Sequence, residues 1–172
     1  DEKWGDVRFV QNPQGNIMLS KRFKMPQDLE NRHTIRNGLR APANNHVFAM
    51  GVDPYDHKIE VNRTNQRYLS KGSFAVVHKE SGGHNIGYLA NGVVCFYKFR
   101  HVNPDDFYSD AIKTMIYFGC DALIERDKPG LIRHMEKMRL QEYATRLSGQ
   151  QQRGIKASRE NTNGACELLD QY

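Results

Sequence analysis

Over most of this chain the apolar residues fall in short runs rather than long stripes. Phe48-Ala49-Met50-Gly51-Val52 stops abruptly at Asp53, Pro54, Tyr55 and Asp56; Ser73 to His78 forms a second run and Val93 to Arg100 a third, with alternation setting in at its end. Runs of this length bounded by Pro, Gly and polar residues read as buried strands, and turn-like connections, one of them at Gly82-Gly83, make the three an antiparallel meander. Val7 to Val10 and Ile17 to Leu19 flank Asn12-Pro13-Gln14-Gly15-Asn16 and predict a β-hairpin. Residues 24–46 are polar and read as a short helix or loop, with Arg32, Arg36 and Arg40 at helical spacing; an exposed helix face is the first reading of these arginines and a DNA path the second.

Beyond residue 102 the period changes. Asn103 as cap, Pro104 and two early acids open a helix, Phe107, Ala111, Met115 and Phe118 follow at helical spacing, and Gly119 ends it. A strand over 121–125 comes next, and Pro129-Gly130 opens a second helix with Leu131, Ile132, Met135 and Met138 on its apolar face. Asn161-Thr162-Asn163 predicts the cap of a last helix containing Ala165, Leu168 and Leu169. Between the first two core strands, residues 56–71 are polar and without periodicity, long for an ordered connection and of the kind that is functional or mobile beside a site. Three strands, helix, strand, helix is the order of the ribonuclease H-like fold, an α/β class in which a three-strand antiparallel meander plus a parallel strand is flanked by helices. In that fold the first and fourth strands lie side by side. The organisation read from the sequence is therefore an N-terminal hairpin and connecting segment over 1–46, and a ribonuclease H-like domain over 47–172.

The length of 172 residues suits one domain with a real core, and 38% hydrophobic with 26% charged residues is an ordinary globular composition. No apolar run approaches the roughly 20 residues of a membrane span, so no membrane partner is expected. Cys95, Cys120 and Cys166 are odd in number, far apart and set in apolar surroundings, the pattern of buried thiols and not of a metal knuckle or disulfide framework. The seven histidines lack ligand spacing. The chain starts at Asp1 without a methionine and stops in a helix-like stretch, which reads as a domain cut from a longer protein.

Two strand ends carry acids. Asp53 sits where the first core strand leaves the sheet, and Ala122-Leu123-Ile124 ends in Glu125 before a polar turn. Asp53 also suits a cap on the turn made by Pro54. If the two strands are neighbours, however, two carboxylates meet at one sheet edge, and like charges in proximity are usually held by divalent cations; two-metal sites suit phosphodiester cleavage. Charge supports this placement. Residues 126–159 carry nine Lys/Arg against Asp127, Glu136 and Glu142, a net of +6, so the rest of the chain sums to −1 out of the overall +5. That places positive potential directly after the second acid, where a polyanion would approach, although a solvated basic helix face is equally compatible with the composition.

Gly51-Val52-Asp53-Pro54, Gly72 to Val77, Ala122-Leu123-Ile124-Glu125, Pro129-Gly130-Leu131-Ile132 and Gly154-Ile155-Lys156-Ala157-Ser158 together resemble the nuclease domain of tailed-bacteriophage terminase large subunits, over about residues 47–172. The resemblance implies a ribonuclease H-like endonuclease that cuts concatemeric viral DNA during packaging, with two Mg²⁺ or Mn²⁺ ions bound when DNA is present. Asp53 and Glu125 match the first two metal-binding, catalytic acids. The third acid of the family has no clear match; Asp170 lies early for it, and the role falls either to a residue beyond Tyr172 or to Asp170 itself, presented by a C-terminal helix packed across the sheet. Arg126, Lys128, Arg153, Lys156 and Arg159 are the expected contacts to double-stranded DNA. No Walker-type GxxxxGK[ST] is present, so the terminase ATPase domain would be a separate part of the parent protein, with the small terminase subunit and portal protein as further partners and the cytoplasm of the infected bacterial host as the compartment. The incomplete acid set leaves a second class of function open, a DNA-gripping or assembly module without turnover. A resolvase or integrase could use the same fold and acids.

Overall fold

The computed structural model describes residues 5, 7–56, 70–79 and 91–156. They form a mixed α/β arrangement of a five-stranded sheet, a separate two-stranded hairpin and two α-helices. The strands are β1 (Ile17–Leu19), β2 (His33–Arg36), β3 (Leu39–Pro42), β4 (Phe48–Asp53), β5 (Gly72–His78), β6 (Val93–Phe99) and β7 (Ala122–Ile124); the helices are α1 (Pro104–Phe118) and α2 (Gly130–Lys137). The large sheet runs β1-β6-β5-β4-β7. β4, β5 and β6 are the antiparallel meander expected from their apolar runs, and β7 returns through α1 to lie parallel to β4, with Met50 opposite Ala122 and Val52 opposite Ile124.

The strand periodicity divides the sheet into two faces. Phe48, Met50 and Val52 of β4 and Phe74 and Val76 of β5 are buried on the face covered by α1, where Phe74 stacks on Tyr97 at 4.7 Å between ring centroids and Phe107 of α1 meets both. Each such fully buried ring contributes about 1.5–3 kcal/mol relative to an exposed one. α1 begins and ends where its caps dictate: the Asn103 side chain accepts from the Asp105 N–H at 3.1 Å, and Gly119 takes a left-handed φ of 64° that L-residues avoid. A Cβ at Gly119 would also run into the Arg32 backbone.

Two N-terminal expectations are corrected. Residues 7–10 form no strand; Phe9 instead packs edge-on against Tyr117 at 4.4 Å, and β1 pairs antiparallel with β6. The Asn12–Gly15 turn is present, closed by a Gly15 N–H to Asn12 carbonyl bond of 2.9 Å, but sheet pairing with a distant strand outcompetes the local hairpin. Arg36 and Arg40 stand on the hairpin β2–β3, not on a helix. Asn37 and Gly38 at φ 51° and 70° make the turn that matches strand twist. Arg32 donates to the Val7 carbonyl at 2.9 Å and lies over the Tyr117 ring, the exposed Arg36 approaches Glu142, and Arg40 contacts His33. Residues 57–69 of the loop expected over 56–71, the Gly82-Gly83 turn and the last helix lie outside the described residues.

Candidate functional site

Asp53 is the last residue of β4, and Glu125 follows the last residue of β7. Because the two strands are parallel neighbours, both chains leave the sheet at the same edge. Backbone bonds hold that edge in place. The Glu125 N–H donates to the Val52 carbonyl at 3.1 Å, the Ile155 N–H to Ile124 at 2.8 Å and the Arg126 N–H to Ile155 at 2.9 Å. Residues 144–155 thereby line the outer edge of β7 through two isolated parallel bridges.

Lys128 joins the two acids. Its Nζ lies 2.9 Å from Asp53 Oδ1 and 3.6 Å from Glu125 Oε2. Burial pushes the Glu125 carboxyl above its usual range and the neighbouring Asp53 adds to this, while Lys128 pulls the other way. Burial opposes the charge on Lys128, but the two carboxylates more than offset it and raise its affinity for the proton. The acid pair is therefore a place where a positive charge is held. Two carboxylates there are the hard oxygen donors that Mg²⁺ or Mn²⁺ takes, and they fit such an ion in part, with water or substrate oxygens needed for the remaining positions. Among the described residues no group of three or more His, Cys, Asp or Glu forms a metal cluster. Asp170 lies outside the described residues.

Asp56, the second acid after β4, has a different job. Its Oδ1 lies 2.8 Å from the Tyr108 hydroxyl and accepts from the Gly130 N–H at 3.0 Å, tying the exit of β4 to α1 and to the start of α2. Tyr55 is buried and exchanges hydrogen bonds with the His101 backbone at 2.8 and 3.1 Å. The turn carrying Asp53 is thus pinned on both sides, and the sequence offered no signal for this beyond the aromatic residues themselves. Beside it lies a cleft of about 380 Å³ lined by Asp56, Asp105, Tyr108, Arg133, His134 and Lys137.

The residues expected to contact DNA are dispersed in role. Lys128 is engaged by the acids. Arg153 is ion-paired to the buried Glu142 and donates to the Ala144 carbonyl at 2.7 Å, closing the 144–153 loop. Arg126 is half-buried beside Glu125, Lys156 is exposed immediately after Ile155, and Arg159 lies outside the described residues. No family model matches this chain, and neither a curated protein nor a solved structure matches it.

Proposed function

We propose that the chain is a divalent-metal-dependent endonuclease of ribonuclease H-like architecture, the nuclease domain of a terminase large subunit that cuts concatemeric double-stranded DNA during viral genome packaging. The observation that carries this reading is the convergence of Asp53 and Glu125 at one edge of a parallel strand pair, with a cation between them. The sheet order, with the first and fourth core strands adjacent, supports the fold assignment.

Bound Mg²⁺ or Mn²⁺ would supply water activation and stabilisation of the leaving 3′-oxygen. The chain's part is to hold the oxygens. Asp53, with 53% of its side chain exposed, faces incoming substrate, while Glu125 at 24% is set deeper and is oriented by the backbone bonds around β7. Lys128 offsets one of the pair's two negative charges and stands within reach of a phosphate that enters between them. In this setting the terminase ATPase domain, small subunit and portal protein are the partners, and the infected host's cytoplasm is the compartment.

The test is nicking of supercoiled plasmid with Mn²⁺, with chelator as control. Mn²⁺-dependent nicking by the wild type that Asp53→Asn loses supports the reading; metal-independent cutting, or none, refutes it. An acid pair that already holds Lys128 equally suits a DNA-gripping module, which would retard plasmid in a gel without nicking it.

A further inference from the structure

The face of the large sheet opposite α1 carries two rows of side chains. Strand register sets Met18, Phe96, Ala75, Gly51 and Leu123 side by side across all five strands. One level further along, Lys98, Ser73 and Asp53 are paired in turn, and Glu125 continues the row past the end of β7. Residues paired across strands share a face. The result is a depression of about 330 Å³ with an apolar floor, an acid pair at one end of its rim and the exposed Lys98 two strands away, roughly 10 Å at ~4.8 Å per strand.

Gly51 is the centre of that floor. Its backbone lies outside the left-handed region, and a Cβ there would meet nothing within 4 Å among the described residues. Among the described residues neither conformation nor packing therefore calls for glycine, which weakens a strand interior and often marks close approach by a ligand. Phe96 offers an aromatic surface beside it.

We propose that this depression is the docking floor for one strand of a polynucleotide, with a backbone phosphate at Asp53–Glu125, a neighbouring phosphate at Lys98 and the intervening sugar and base against Gly51, Ala75 and Phe96. This rests on the nuclease reading and adds where the substrate strand runs. Lys98 makes no ion pair among the described residues. With the metal ions of the nuclease reading bound at Asp53 and Glu125, both ends of the floor would carry positive charge, which selects a polyanion, and an aromatic between cationic points is the usual platform for a nucleic-acid strand.

The test is fluorescence anisotropy with a 5′-labelled single-stranded 12-mer in Ca²⁺, alongside melting temperature and the plasmid assay, for wild type, Gly51→Val, Gly51→Ala and Lys98→Ala. Valine favours a strand, so Gly51→Val is expected to melt at or above the wild-type temperature and to weaken oligonucleotide binding at least tenfold. Gly51→Ala, which adds only a Cβ, covers the case in which valine disturbs the fold and is expected to fall between the two. Lys98→Ala is expected to weaken binding several-fold and to lower the salt slope by about 0.7, one phosphate contact on a single strand. A folded Gly51→Val that binds and cuts as wild type overturns the floor while leaving the nuclease reading in place. A wild type whose binding depends on Gly51 and Lys98 but which never nicks plasmid supports the floor and removes the nuclease reading. A wild type that neither binds nor cuts overturns both.

Discussion

Replacing Lys128 by Met removes one charge and keeps an unbranched stem of similar length, which isolates the electrostatics of the acid pair. Two unit charges at 4 Å interact by about 1 kcal/mol in water and about 4 kcal/mol at an effective dielectric of 20. With 33% of the Lys128 side chain and 53% of that of Asp53 exposed, the 2.9 Å contact belongs near the water limit, and exposed pairs contribute about 0.2–1 kcal/mol. The Glu125 contact is longer at 3.6 Å but less exposed, and it adds a similar amount. In metal-free buffer at neutral pH and low salt, Lys128→Met should therefore lose about 1 kcal/mol, or about 2–4 °C in melting temperature for a domain of this size. Acidification should close the gap. The Glu125 carboxyl is raised in the folded state, first by burial and then by Asp53. A raised carboxyl binds its proton more tightly when folded, so stability falls as pH rises from the ordinary carboxylate value of about 4.3 through the folded value. Without Lys128 the folded value rises further, and the variant's deficit should be largest above that window and shrink below it. Differential scanning fluorimetry across pH 4–8, at low and at 1 M salt, reads all of this. A deficit unchanged by salt and pH would show that Lys128 acts through packing, and the electrostatic reasoning would be wrong.

Mn²⁺ should raise the melting temperature of Lys128→Met more than that of the wild type, because the ion enters a pair that no longer holds a competing cation; equal shifts would place the ion elsewhere. Asp53→Asn should abolish plasmid nicking while changing stability by no more than about 1 kcal/mol, since it loses one exposed ion pair and one repulsion; wild-type cutting by this variant would remove Asp53 from the site. Gly130→Ala should cost about 1–3 kcal/mol by chemical denaturation, because its Cβ would collide with the Tyr108 hydroxyl and the Asp56 carboxylate and break their bonds at the start of α2. Cys95, whose thiol burial pushes up to about 12, and the fully buried Cys120 should resist iodoacetamide at pH 8 until the protein is unfolded, as peptide mapping would show.

Local chemistry alone determined the core of this protein. The runs at 48–52, 73–78 and 93–99 are apolar enough to be buried whatever they pair with, and the Asn103-Pro104 start and Gly119 stop of α1 satisfy backbone groups within a few residues. The order of those elements also anticipated that β4 and β7 would be neighbours, which brought Asp53 and Glu125 to one edge. The hairpin β2–β3 was legible only in Asn37-Gly38, because its first strand is exposed along its whole length and so carries no hydrophobic period. What tertiary structure alone decided are choices among partners far apart in the chain. β1 pairs with β6 across more than seventy residues in place of its own neighbour, Arg153 is taken up by Glu142, Asp56 anchors α2 instead of joining Asp53, and Lys128 stands between the two acids. Each is a competition between contacts of comparable local strength, settled by which groups are desolvated together once the sheet has formed; a linear pattern carries the candidates and not their distances.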